Sequence, residues 1–377
     1  MPSDRFELRL SFQKLLVGML LTLVPISLAG FYCLNLSERA LERTIGSHFK
    51  TIGESTASEV SYVIHDLVSS AGVMAADAAV TDAIVTSNRG YQGAADAAIA
   101  ARIERIDKAW NTPAVDATVK EILSSRASRV LRRCREMDPR FLRVTVTDER
   151  GAVVAATHKT LDYYQADEAY WQGIYANGRG AVSLTDVLYD EVTKSSYIGI
   201  GVPVMEEGTN RFIGTLDALV DVSSLAPLIT RVQFGRTSRA ILVKEDGTVI
   251  AAPQANLAMK LKSEEHASVA EAIATLEGRQ TGYAVADLRG GRTVIGFADT
   301  GLKRDYGNLS WVVLVCQDAV EAFAPIRVAG RLIGFMSALG LVMVTLVGVY
   351  FSIHRRHQLE EIGDLHREAR AQAATGK

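Results

Sequence analysis

Two long uncharged apolar runs constrain this chain more than any other feature. Leu15 to Ser37 contains 23 residues without a charge and Leu332 to Ile353 contains 22. At about 1.5 Å per helical residue, each reaches across a hydrocarbon core of roughly 30 Å. Pro25 in the first run and Gly334, Gly340 and Gly348 in the second are residues that membrane helices tolerate. The sequence therefore predicts two spans with one large domain between them. Cleavage of the first run as a signal peptide, at the small-x-small stretch Ser27-Leu28-Ala29, is the competing reading, but the run stays apolar through Leu34. Arg5, Arg9 and Lys14 precede the first span and Arg355 and Arg356 follow the second, which puts both outer ends in the cytoplasm and residues 38–331 outside.

The formal net charge of −2 removes any compositional case for nucleic-acid binding. Three cysteines, Cys33, Cys134 and Cys316, cannot make a disulfide framework; a single Cys134–Cys316 bridge and two buried thiols are the two readings.

Within the outer domain, residues 38–137 read as helical. Phe49, Ile52, Val60, Val63 and Leu67 recur at three-to-four spacing, a stripe that pairs with a second copy or packs on its own domain. From about residue 138 the period changes to two. Strands are expected at Phe141–Thr147, Ala152–Thr157, Ala181–Leu188, Tyr197–Val204 and Phe212–Asp221. Helices are expected at Asp167–Asn177 and Ser223–Thr230. The order then recurs. Strands at Arg239–Val243, Thr248–Ala252, Gly282–Asp287, Thr293–Ala298 and Trp311–Gln317 surround a helix at Ser268–Leu276. Val153-Val154-Ala155-Ala156-Thr157 matches Val249-Ile250-Ala251-Ala252-Pro253, each after an acidic-Gly turn, so the domain is an internal repeat of class α+β.

The chemistry concentrates in residues 162–197, which hold six of the twelve tyrosines, Trp171, six acids and two bases. The candidate ligand-binding residues are Tyr163, Tyr164, Asp167, Glu168, Trp171, Asp186, Tyr189, Asp190 and Tyr197. Aromatic faces and carboxylates together favour a cationic or amine-like ligand. Tyr and Trp also serve as core residues in strand-rich modules, and Asp167 also suits the N-cap of the helix that holds Trp171. His65, His158 and His266 lie far apart with no metal-ligand spacing, and no serine sits in a nucleophile elbow. No catalytic residue, metal or cofactor is expected, and no enzymatic activity.

The two spans, the long N-terminal helix, the tandem modules and the segment Asp162-Tyr163-Tyr164-Gln165-Ala166-Asp167-Glu168-Ala169-Tyr170-Trp171-Gln172 resemble the double Cache family of extracytoplasmic bacterial sensor domains. Leu184-Thr185-Asp186-Val187-Leu188-Tyr189-Asp190, Ile200-Gly201-Val202-Pro203-Val204 and Ile213-Gly214-Thr215-Leu216 extend the resemblance. It implies two PAS-like antiparallel-sheet modules, a membrane-distal one at 138–230 and a membrane-proximal one at 231–318. It also implies a small-molecule ligand in the distal module, a homodimer, and a bacterial inner-membrane location with the large domain outside. Where the amino-acid-binding branch of the family carries Arg-x-Trp-Tyr, this chain has Asp167-Glu168-Ala169-Tyr170-Trp171, without the arginine.

The spans bound a head at 1–14 and a tail at 354–377. That tail is shorter than a kinase, a cyclase or the usual HAMP module, so the expected output is a separate cytoplasmic signalling protein. Two other readings remain open: an adaptor or structural membrane protein that binds a protein partner, and the sensor portion of a longer receptor.

Overall fold

The structure is a computed structural model that describes residues 12–190, 195–253, 261–274, 281–307, 309–325, 328, 330–332, 334–340 and 342–350. The chain divides into two compact units, one of Met1–Ile45 with Ala322–Lys377 and one of Gly46–Glu321. In the first unit, the helix Gly330–Tyr350 has a mean hydropathy of 2.3 and is long and apolar enough to cross a membrane. Phe335, Leu339, Val342, Met343 and Leu346 on it are exposed, so its apolar surface has no protein cover. The other expected span is helical, within α1 (Phe12–Ala75). Most side chains of that span, and the tail at 354–377, lie outside the described residues.

The second unit begins with helices. After α1 come α2 (Ala78–Arg89), α3 (Asp96–Ala109), α4 (Asp116–Ser124) and α5 (Arg126–Met137). Asp77 caps α2 by accepting from the Ala79 amide at 2.8 Å, and Ser125 caps α5 by accepting from Ser128 at 3.1 Å. The apolar stripe of α1 packs on its own domain: Phe49, Val60 and Leu67 are buried, while Ile52 and Val63 are half-buried.

Two antiparallel sheets follow. The first is built from β1 (Phe141–Asp148), β2 (Val153–Ala156), β3 (Ser183–Leu184), β4 (Leu188–Asp190), β5 (Ser195–Met205) and β6 (Phe212–Asp221), with α6 (Ala169–Tyr175) inserted after β2. Its order is β2-β1-β6-β5-β3, with β4 also pairing β5. A short 3₁₀ turn and α7 (Ala226–Thr230) lead to the second sheet. There β7 (Arg239–Lys244), β8 (Val249–Ala251), α8 (Glu264–Ala274), β9 (Thr281–Leu288), β10 (Gly291–Asp299), α9 (Leu302–Tyr306) and β11 (Trp311–Asp318) precede α10 (Ala319–Ala322). The order β8-β7-β11-β10-β9 repeats the first.

Asp148 ends β1 fully buried and, among the described residues, without a cation partner. It accepts from Ser87 Oγ and Tyr91 OH, both at 2.6 Å, and from the amides of Arg150 and Ala152. One carboxylate thus holds both α2 and the β1–β2 turn.

The sequence-based elements differ from the structure in two informative places. The expected strand Ala181–Leu188 is split into β3 and β4, because Asp186 turns back onto the Val187 amide at 2.7 Å and is held by Lys244 at 2.9 Å. The expected helix Asp167–Asn177 is shorter at both ends, since Ala176 (φ 45) and Asn177 (φ 56) are left-handed and stop it. Cys134 and Cys316 are free thiols, half-buried and buried respectively.

The second sheet meets α1 at Gly296, where an added Cβ would fall 2.6 Å from the Phe49 carbonyl carbon and oxygen. A backbone neighbour cannot rotate away, so Gly296→Ala is expected to lower unfolding stability by about 2–3 kcal/mol. Gly290→Ala, where nothing lies within 4 Å, is expected to change it by less than about 1 kcal/mol. Chemical denaturation of the two variants checks this.

Candidate ligand-binding site

Strand β1 reads Phe-Leu-Arg-Val-Thr-Val-Thr-Asp, and its alternation sends Val144 and Val146 to one face and Arg143, Thr145 and Thr147 to the other. Register extends both faces across the sheet. Thr145 pairs with Asp217 and Thr147 with Thr215 of β6, and Gly201 and Gly199 of β5 stand beside Asp217 and Leu219. Directly paired residues share a face, so Arg143, Thr145, Thr147, Thr215 and Asp217 make one polar patch.

Helix α6 packs on β5 and β6 over this patch. The Trp171 indole N–H donates to Thr147 Oγ1 at 2.8 Å, and the Thr147 and Thr215 hydroxyls bond at 2.8 Å. Tyr170 OH donates to Gln165 Oε1, and Gln165 Nε2 donates to the Asp162 carbonyl at 3.1 Å and to its carboxylate. Burial, reinforced by the Asp217 charge, raises the Tyr170 pKa, so the phenol stays neutral. Two charged groups are left over. The Asp217 carboxyl is buried and makes no hydrogen bond among the described residues. Burial pushes its pKa up to about 7, against the opposing pull of Arg143. Arg143 Nε is buried with no hydrogen-bond partner.

The residues expected from the sequence fall in several places. Trp171 lies on the polar patch, and Tyr197, half-buried, shares its face through Gly199 and Gly201. Tyr163 is in the core beside Trp110 at 5.2 Å, and burial raises its pKa to about 12. Tyr164 lines an open cleft of about 480 Å³ with Tyr175, Glu149, Arg150 and the rim of Trp171. Asp167 and Glu168 are exposed; Glu168 stands at the N-cap of α6 and its side chain makes no cap bond. Asp186 faces the other sheet, accepting from Trp311 Nε1 at 3.0 Å and pairing with Lys244 at 2.9 Å. Tyr189 pairs with Ser196, on the face opposite Tyr197. The Asp190 side chain lies outside the described residues.

Sequence reasoning did not single out Arg143, Gln165, Tyr170 or Asp217. Asp217 did carry a signal, being the one ionisable residue in Phe212–Val220.

A family model described as a Cache domain, dCache_1, matches residues 37–326. The chain belongs to the double Cache family. Among solved structures it is similar to the sensory domain of the Campylobacter jejuni chemoreceptor Tlp3 (CcmL), with a TM-score of 0.51 and 13% identity over 76% of this chain and 99% of that one. It is also similar to the ligand-binding domain of the Pseudomonas aeruginosa PAO1 amino acid chemoreceptor PctC in complex with GABA (TM-score 0.46, 16% identity, 72% and 99% covered). A third is that of the Pseudomonas fluorescens chemoreceptor CtaA in complex with L-isoleucine (TM-score 0.45, 14% identity, 76% and 98% covered). No curated protein matches the chain. The structural neighbours are ligand-binding domains of receptors.

The two Cache modules differ on the face their inserted helix covers. In the second, Ile241, Val243, Ile295, Phe297, Val312, Leu314 and Cys316 pack with Val269 of α8 into a closed apolar core. In the first, the corresponding face is the polar patch beneath α6. No cluster of three or more His, Cys, Asp or Glu suited to a metal occurs among the described residues.

Because the folded Asp217 holds its proton up to about pH 7 and the unfolded one only to about 3.8, stability falls as pH rises between these values and is flat above. Asp217→Asn is expected to match the parent below pH 4 and to exceed it by about 2–4 kcal/mol at pH 8. Urea denaturation across pH reads this directly.

Proposed function

We propose that this chain is a membrane-anchored extracytoplasmic sensor. In this reading its distal Cache module, residues 138–230, binds a small molecule on the polar patch, and a separate cytoplasmic protein receives the signal. Spans at 15–37 and 332–353 hold the domain outside a bacterial inner membrane. The observation that carries the reading is a pair of ionisable groups whose side chains make no hydrogen bond among the described residues: the Asp217 carboxyl beside Tyr170, on a residue 7% exposed, and the Arg143 guanidinium, whose Nε is buried. A buried polar group left unpaired costs on the order of 1–3 kcal/mol, and a ligand that supplies its partner recovers that cost on binding. Among the described residues the matching face of the proximal module carries no such pair, and Ile241, Val243, Ile295, Phe297, Val312, Leu314 and Cys316 fill it.

An ammonium group satisfies Asp217 best, since it supplies both charge and donors. The Arg-x-Trp-Tyr arginine is missing from the α6 segment, but Arg143 on β1 brings a guanidinium to the same patch from another strand. A cationic group at Asp217 therefore does not exclude an anionic group elsewhere on the same ligand. Signalling requires that the ligand favour one arrangement of the module over another, because equal affinity for both shifts nothing.

Thermal shift of the full chain in detergent, against a panel of primary amines, zwitterions and carboxylates, tests this. A ligand at about 100 times its Kd adds roughly 2.7 kcal/mol of stability. An amine-bearing hit is expected to bind at least tenfold more weakly to Asp217→Asn. It is also expected to lose affinity as pH falls below about 7, where the carboxyl must give up its proton to pair. A hit unaffected by both changes sinks the assignment of the site. No hit from a well-folded chain moves weight to the protein-partner reading.

A further inference from the structure

Helix α5 carries five arginines, Arg126, Arg129, Arg132, Arg133 and Arg135, within one stretch of ten residues. Two of them reach groups outside the helix. Arg135 Nη1 lies 2.8 Å from His158 Nε2, and Arg132 Nη1 donates to the Leu123 carbonyl at 2.7 Å. A guanidinium only donates, so His158 Nε2 is the acceptor and the ring is neutral, with its proton on Nδ1 beside Thr157 Oγ1 at 3.0 Å.

The β1–β2 ladder places Arg143 at the same end. Thr145 pairs with Ala156, and the Thr157 amide donates to the Val144 carbonyl at 2.9 Å, so the next residues on that face are Arg143 and His158. Three guanidinium groups and an imidazole thus gather from a helix, a strand and a loop. No carboxylate lies within 4 Å of the Arg132, Arg135 or Arg143 guanidinium among the described residues. The Arg143 side chain makes no hydrogen bond among them, and its Nε is shielded from water. Arg132, Arg135 and Arg143 are each half-buried, where repulsion between like charges is screened less than on an open surface.

We propose that Arg132, Arg135, Arg143 and His158 form an oxyanion-binding site, taking a carboxylate or phosphate group at the edge of the distal polar patch. The planar guanidinium fork matches both groups, and N–H donors left over after the Leu123 and His158 contacts supply its bonds. The site shares Arg143 with the ligand patch but does not depend on an amine at Asp217. The cations already act on His158: burial and then Arg135, Arg143 and Arg132 lower its pKa. Lys159 follows it in sequence, and Asp217 stands behind Arg143 on β6. An anion seated among them would reverse the sign of the local field and raise the His158 pKa.

The test uses the full chain in detergent with inorganic phosphate and succinate as separate probes and chloride at matched ionic strength as the reference. Calorimetry reads binding, and NMR of labelled histidine reads the His158 pKa. Saturable binding of either probe is expected, weakened at least tenfold in Arg135→Gln and Arg143→Gln and unchanged in Arg126→Gln, an exposed arginine on the same helix. The His158 pKa is expected to rise on binding. Phosphate alone, succinate alone or both would name the anion class and support the site. No saturable binding beyond chloride, or an equal loss in Arg126→Gln, overturns it, with melting curves confirming that each variant folds. Asp217→Asn separates the two readings. Anion binding that survives this change while no amine binds supports the oxyanion site and removes the ammonium reading; amine binding with no anion binding does the reverse.

Discussion

An antiparallel sheet has two faces, and in the distal module one of them is polar yet covered. Val144, Val146, Leu216 and Ala218 pack in the apolar core on one side, while Arg143, Thr145, Thr147, Thr215 and Asp217 stand on the other beneath α6. A covered polar face is tolerated only where its groups find partners. In this one Trp171 bonds to the Thr147 hydroxyl and Thr147 to that of Thr215, and Tyr170 with Gln165 and Asp162 forms a second chain in the segment before and within α6. The same chains fix the position of α6, since its aromatic side chains supply the donors. The side chains of Thr145, Asp217 and Arg143 make no hydrogen bond among the described residues, and Asp217 and Arg143 are the ionisable groups of the face.

The internal repeat makes the contrast controlled. Both modules thread five main strands in the same order and insert a helix after the second strand. In the proximal module that helix, α8, presents Val269 to Phe297, Ile295 and Leu314, and the face closes as an ordinary core. In the distal module the helix presents Trp171 and Ile174. Ile174 reaches a glycine, Gly201, where any Cβ would fall 2.3 Å from its Cδ1. One architecture therefore supports two outcomes, and the side chains on a single face decide between them. The proximal copy fills most of this face with apolar side chains and pairs its Arg239 with Glu265 of α8, whereas the distal copy keeps Arg143 and Asp217 there with no side-chain hydrogen bond among the described residues.

This division explains what could be read from the sequence. Strand period, turn chemistry and the repeated element order are local properties, so β1, β5, β6, β7, β10 and β11 were legible within a residue or two. The break between β3 and β4 was not, because it depends on Asp186 being drawn to Lys244 and Trp311 of the other sheet. The site was legible only in part. A concentration of tyrosines and acids pointed to residues 162–197, and Trp171 and Tyr197 do share the polar face. The alternation in β1, with Arg143, Thr145 and Thr147 at every second place, reads as a strand with one side in water. Only the fold shows that the chain returns over that side. His158 was read as an isolated histidine for the same reason, its arginine neighbours being distant in sequence.

Two of the connections between the modules begin next to the polar patch. Thr185 Oγ1 accepts from the Gly199 amide at 2.7 Å, beside Asp217 on the sheet, and the next residue, Asp186, grips Lys244 and Trp311 of the proximal sheet. The second connection leaves β6 itself. Asp221 at its end caps the following turn at Ser223, and α7 then leads to residues 231–238. There Phe234 packs edge-on against Phe49 of α1 at 5.1 Å, and its carbonyl accepts from Gln317 Nε2. Glu321 of α10 accepts from the Thr237 hydroxyl and from the Arg236 and Thr237 amides at 2.7 and 2.9 Å, and these bonds, the hydroxyl's first, hold its pKa at about 2. The strand that carries Asp217 is thus tied, through one short linker, to both the entering helix and the departing one. A change in the ionisation of a single buried carboxyl is an electrostatic event of several kcal/mol in a low-dielectric interior. Set on β6, that carboxyl lies one short linker away from residues 231–238, whose Arg236 and Thr237 amides are gripped by Glu321 of α10.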